Sequence, residues 1–103
     1  MIFFNDELQN FQTSMSFGNA RDKTMTLAAG DLDLDGDIDI LTASHQDGVF
    51  WYENDGSENF TEFTINNYGD GTNSVTAADV DGDGDLDVLS SSYGGGRISW
   101  YEN

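Results

Sequence analysis

A run of alternating aspartates occurs twice in this chain, a fixed distance apart. Asp31-Leu-Asp-Leu-Asp-Gly-Asp-Ile-Asp-Ile-Leu41 returns as Asp79-Val-Asp-Gly-Asp-Gly-Asp-Leu-Asp-Val-Leu89, 48 residues on. Trp51-Tyr-Glu-Asn54 returns as Trp100-Tyr-Glu-Asn103, 49 residues on, the extra residue falling in the turn at Gly94, Gly95 and Gly96. Asn10-Phe11 matches Asn59-Phe60, and Phe17-Gly18 matches Tyr68-Gly69. Ile2-Phe3-Phe4-Asn5 aligns with both Trp-Tyr-Glu-Asn strings. The 103 residues therefore divide into a stub over about 1–5, one repeat over about 6–54 and a second over about 55–103. A period of this length belongs to solenoids and propellers, whose units bury their apolar faces only by stacking on one another.

Within each period, short apolar and Thr/Ser-rich runs are cut by Asp, Asn and Gly clusters, which is β punctuation. Four strands per repeat are expected: Met25–Gly30 and Val75–Ala78, Ile38–Ser44 and Leu86–Ser92, Val49–Glu53 and Ile98–Glu102, and Phe11–Phe17 and Phe60–Asn66. Asp47-Gly48 and Asn54-Asp55-Gly56 stand where hairpin turns need positive φ. No segment carries a helical period, so the chain reads as all-β. On the second strand Ile38 and Ile40 face one way and Leu41 and Ala43 the other; on the third, Phe50 and Tyr52 oppose Val49 and Trp51. A sheet with one wet face alternates apolar with polar. Strands apolar on both faces need cover on both sides, and four-stranded antiparallel sheets stacked face to face are β-propeller blades. Two such blades are expected. In that packing Trp51, Tyr52, Trp100 and Tyr101 serve blade-to-blade contact rather than sugar stacking.

The chemistry lies in the aspartates. Twenty acidic residues face three basic ones, a net charge of -17, and ten of the acids fall in the two nine-residue stretches from Asp31 and from Asp79. Asp-x-Asp-x-Asp-Gly-x-x-Asp is a loop that wraps a hard cation in oxygen ligands. Asp31, Asp33 and Asp35 occupy alternate positions on the inside of the curve, Gly36 permits the bend, Asp37 contributes its carbonyl and Asp39 closes the shell. Asp79, Asp81, Asp83, Gly84, Asp85 and Asp87 repeat the arrangement. Calcium, two ions per chain, is the expected cofactor. The helix-loop-helix calcium hand closes with Glu at position 12, where this chain has Thr42 or Ser90. There is no Cys, so thiolate metal sites and disulfides are excluded. The negative charge disfavours nucleic acid and anionic membranes as partners, and the apolar runs are too short to insert in a bilayer. With a single His and the clustered aspartates assigned to metal, no nucleophile–base pair is in view and no enzyme is expected.

The aspartate motif, the Phe-Gly or Tyr-Gly before it and the Trp-Tyr-Glu-Asn-Asp-Gly string after it resemble FG-GAP/VCBS-type repeats. That resemblance spans nearly the whole chain. It implies β-propeller blades with calcium between the first and second strands of each, on Asp31, Asp33, Asp35, Asp37 and Asp39 and on Asp79, Asp81, Asp83, Asp85 and Asp87. Family propellers usually close with about seven blades on one chain, so two is a departure.

Two blades leave an apolar face at each end, which head-to-tail association of copies would cover. Three chains give six blades and four give eight; a homotrimer is favoured and a homotetramer comes next. A fragment of a longer propeller is the other reading of the same feature. The expected function is a self-assembling, multivalent binding scaffold of lectin-like or adhesion type, with carbohydrate or protein as ligand. The alternative is a purely structural or engineered unit whose chemistry ends at calcium and self-assembly. His45, Tyr93 and Arg97, on or beside the turns after the second strands, are the candidate ligand contacts. Millimolar calcium and the resemblance point outside the cell, although Met1-Ile2-Phe3-Phe4-Asn5-Asp6 lacks the basic flank and apolar length of a signal peptide.

Overall fold

A computed structural model describes residues 2–4, 13–15, 24–57, 59–67 and 71–103. Nine strands appear in it and no helix among the described residues: β1 (Ile2–Phe4), β2 (Thr13–Met15), β3 (Thr24–Gly30), β4 (Asp39–Ser44), β5 (Gly48–Asn54), β6 (Phe60–Asn66), β7 (Thr72–Ala78), β8 (Asp87–Ser92) and β9 (Arg97–Tyr101). They form three antiparallel meanders, β1-β2, β3-β4-β5-β6 and β7-β8-β9. Of the strand expected over Phe11–Phe17, the part described is β2. Phe17-Gly18 and Tyr68-Gly69 lie outside the described residues.

The expectation of two four-stranded sheets is therefore corrected: one sheet has four strands and the other three. The reason is where the outermost strand pairs. β6 follows β5 and zips onto its edge, Trp51 opposite Phe63 and Tyr52 opposite Glu62. Among the described residues no strand pairs with the outer edge of β9. β1 and β2 make the same hairpin as β5 and β6. Ile2 pairs with Met15 as Trp51 pairs with Phe63, and these positions are 49 and 48 residues apart.

Local sequence explains each element. β4 and β5 are rich in the β-branched and aromatic residues that suit a pleated, buried surface. The turn between them ends at Gly48, with φ at 107°. A Cβ there would collide with the Asn66 carbonyl, where β6 carries a bulge against β5, Ile65 being the extra residue.

Sheet stacking makes the core. One face of the four-stranded sheet offers Leu41, Ala43 and Val49, all fully buried, with Ala28 and Trp51 beside them. Val75, Ala77, Val88 and Tyr101 of the three-stranded sheet pack onto it. Alanines on the first strands let β7 cross close to β3 and β4. On its other face the four-stranded sheet buries Phe50 and Tyr52 while Leu27 is 62% exposed. The outer face of the three-stranded sheet leaves Ile98 84% and Trp100 47% exposed.

Candidate functional site

Each aspartate run is the connection between the first two strands of a stacked sheet, β3 to β4 and β7 to β8. The first aspartate folds the loop. Asp31 accepts from the Asp35 N–H at 3.1 Å and the Gly36 N–H at 2.8 Å. Asp79 accepts from Gly82 at 2.8 Å, Asp83 at 3.1 Å and Gly84 at 2.9 Å. Asp35 and Asp83 add shorter turns, taking the N–H of Asp37 at 2.8 Å and of Asp85 at 2.9 Å. Such side-chain bonds to backbone hold a tight turn in place of a ladder.

The ninth position anchors the loop to its sheet. Asp39 and Asp87 are fully buried. Asp39 accepts from the Leu32 N–H at 3.0 Å on one oxygen and the Asn54 N–H at 2.9 Å on the other. Asp87 takes Val80 at 3.0 Å and Asn103 at 2.8 Å in the same way. The Asn side chains complete the anchor: Asn54 donates to the Ile38 carbonyl, and Asn103 donates to the carbonyls of Leu86 and Leu32. The last of these ties the end of the three-stranded sheet to the loop of the other sheet.

This scaffold gathers carboxylates. Asp31, Asp33 and Asp39 bring one oxygen each within 4.8 Å of one another, and Asp79, Asp81 and Asp87 do so at the same place in the second repeat. A third group joins Asp33 and Asp35 to Glu53 at the end of β5. Glu53 escaped the sequence reading, which treated Trp-Tyr-Glu-Asn as packing; its recurrence in both strings, one residue before the anchoring Asn, was the available signal. Asp37, Asp83 and Asp85 enter none of these groups among the described residues. The donor set is all carboxylate, which suits a hard divalent cation such as calcium and not a soft one.

The electrostatics reflect crowding. Desolvation, the Asp35 hydrogen bond and the charges of Asp39 and Asp35 push the Asp33 carboxyl up to about 6. Asp37 is raised by desolvation and by the surrounding aspartates, and Asp81 by desolvation together with Asp83 and Asp87. At Asp31 desolvation works upward, but the N–H groups of Gly36 and Asp35 prevail and the carboxyl is lowered. Asp87 is lowered by the Asn103 N–H, against desolvation, with help from Val80 and the Trp100 indole. Trp51 differs: its indole N–H is buried with no acceptor, and the ring stacks on Phe63 at 4.9 Å.

His45, Tyr93 and Arg97 lie at the opposite ends of the strands, on or beside the β4–β5 and β8–β9 turns. Gly71 brings two of them together, donating its N–H to the His45 carbonyl at 3.0 Å and accepting from the Tyr93 N–H at 2.8 Å. Its φ is 84°, and a Cβ would stand 3.0 Å from the Gly94 nitrogen. His45 is half-buried, Tyr93 is 82% exposed and Arg97 begins β9.

No curated protein and no solved structure matches the chain. A comparison with known families matches residues 31–90 to the FG-GAP-like repeat. That segment, 60 of the 103 residues, opens on the first aspartate of one loop and runs through the whole of the other into β8. It takes in all three carboxylate groups and the core of the four-stranded sheet, and because it covers more than half of the chain, the chain belongs to the FG-GAP-like repeat family.

Proposed function

We propose that this chain is a calcium-binding β-propeller-type module, taking two ions, that associates head to tail with its own copies and serves as a multivalent binding scaffold outside the cell. The observation that carries the metal reading is the recurrence of the Asp31/Asp33/Asp39 group as Asp79/Asp81/Asp87. Asp31, Asp33 and Asp39 would hold one ion and Asp79, Asp81 and Asp87 the other, with Glu53 in reach of the first. A bound cation supplies the counter-charge these crowded carboxylates lack, and it ties the loop, the second strand and the end of the third into one unit. The self-association reading is supported by the exposed apolar residues on the outer face of the three-stranded sheet.

Calcium titration into the chelator-treated chain, followed by calorimetry, is expected to give two ions per chain. At calcium 100 times Kd each site adds about 2.7 kcal/mol, so adding chelator should lower Tm by about 10 °C or more. Absence of binding heat together with an unchanged melt would remove the metal reading. A glycan array in calcium and in chelator then separates a lectin-like scaffold from a unit that only assembles.

A further inference from the structure

The two stacked sheets do not close completely at the aspartate-loop end. A cavity of about 230 Å³ remains there, walled by Leu32, Trp51, Ile65, Val88 and Tyr101. Its remaining lining is Asp33, Glu102 and Asn103. A cavity of about 150 Å³ holds a benzene ring, so this one has room for a ring with a short chain, below the size of a drug-like pocket. Two aromatic walls favour a flat or cationic guest.

The polar part of the lining selects the charge. Asp33 and Glu102 are acceptors only. Both amide hydrogens of Asn103 are engaged, one on Leu32 and one on Leu86. The Tyr101 hydroxyl already accepts from Asn66. The hydroxyl keeps its own hydrogen to donate, so the demand for donors comes from the carboxylates at the edge. The surrounding field agrees, because the five aspartates of the first loop keep a net charge of -3 even with a divalent cation bound. An anion entering here would meet repulsion, and a neutral guest would gain nothing from the field.

We propose that this inter-sheet cavity is a binding site for a small organic cation: a primary ammonium on an apolar body about the size of one aromatic ring. The body lies between Trp51 and Tyr101, and the ammonium donates to Glu102 at the edge, the lining carboxylate that the metal reading leaves free. The site exists within one chain and depends neither on self-association nor on the turn residues His45, Tyr93 and Arg97.

The test uses the full chain in saturating calcium, with phenethylammonium as probe and 2-phenylethanol as its neutral counterpart. The readout is the pair of indole N–H resonances in a ¹H–¹⁵N spectrum, assigned with Trp100→Phe. Phenethylammonium is expected to shift the Trp51 resonance saturably with Kd of about 1 mM, and about tenfold more tightly than 2-phenylethanol. Glu102→Gln, an exposed change just beyond β9, should weaken the ammonium at least about threefold while leaving 2-phenylethanol unaffected. No saturable shift up to about 20 mM, equal affinity for the alcohol, an unchanged affinity in Glu102→Gln, or movement of the Trp100 resonance in place of Trp51 would each overturn the proposal. Calcium binding is read separately by titration without probe, and a repeat in chelator distinguishes loss of the cavity site from loss of the metal reading.

Discussion

Asp39 and Asp87 are buried carboxylates whose two oxygens both face backbone donors, so they hold the loop to its sheet before any cation arrives. Asp33 has no comparable set of donors; desolvation, the Asp35 hydrogen bond and the charges of Asp39 and Asp35 push its carboxyl up to about 6. That value fixes a sign. Between the ordinary aspartate value of 3.8 and about 6 the folded, metal-free chain holds a proton that the unfolded chain has released. This group's contribution to stability is therefore full below pH 3.8 and is lost as pH rises through about 6. A cation must displace the same proton. At pH 6, calcium binding is expected to release about half a proton per chain from Asp33, so calorimetric heats measured in two buffers of different ionisation enthalpy should differ. At pH 7.5 the difference should vanish. Identical heats at both pH values would mean that Asp33 is already ionised without metal. The sequence identified Asp33 as a ligand through its alternate spacing with Asp31 and Asp35. It gave no sign of the separate environments of Asp33 and Asp39, because those depend on which strand ends approach the loop.

At the scale of elements, one asparagine connects the two sheets. Asn103 closes the second loop through Asp87 and Leu86, as Asn54 closes the first, but it also reaches across to the Leu32 carbonyl. Asn103→Ala should therefore cost about 1–3 kcal/mol in urea unfolding, since it leaves two carbonyls without their donor. Leu41→Ala, at a fully buried position in the stacked face, should cost about 2–5 kcal/mol. The two losses should add, because one acts at the loop end and the other in the core; strong non-additivity would place Asn103 within the same packing unit. The nine-residue loops, the strand runs and the hairpin at Gly48 were legible in the sequence because turn chemistry and alternation are local. The bond from Asn103 to Leu32 was not, since Asn54 and Asn103 are identical in the repeat and only stacking gives one of them a neighbouring loop. Pairing of β2 with β1 was hidden for a similar reason: a repeat shows that a segment is a strand but not which copy of its neighbour it joins.

Among the described residues, the four-stranded and three-stranded sheets stack with unlike outer faces. Leu41, Val49 and Trp51 of the four-stranded sheet are covered by the three-stranded sheet, whereas their counterparts Leu89, Ile98 and Trp100 face outward. The outer edge of β9 also lacks a partner among the described strands, where β5 has β6. An exposed apolar face is what a further stacked unit would cover, and a second copy of the chain brings surfaces built on the same repeat. Its high negative charge opposes association, which a bound cation on each loop would ease. Light scattering in calcium is thus expected to give a multiple of 11.3 kDa, three or four chains, that loosens in chelator. Ile98→Glu should return the mass to 11.3 kDa with little change in the melt of the isolated chain, because Ile98 is 84% exposed there and a surface substitution costs within about 0.5 kcal/mol. A wild-type mass of 11.3 kDa at every concentration would overturn the self-association reading. A multimer that survives Ile98→Glu would place the contact elsewhere, away from the face that the internal stack repeats.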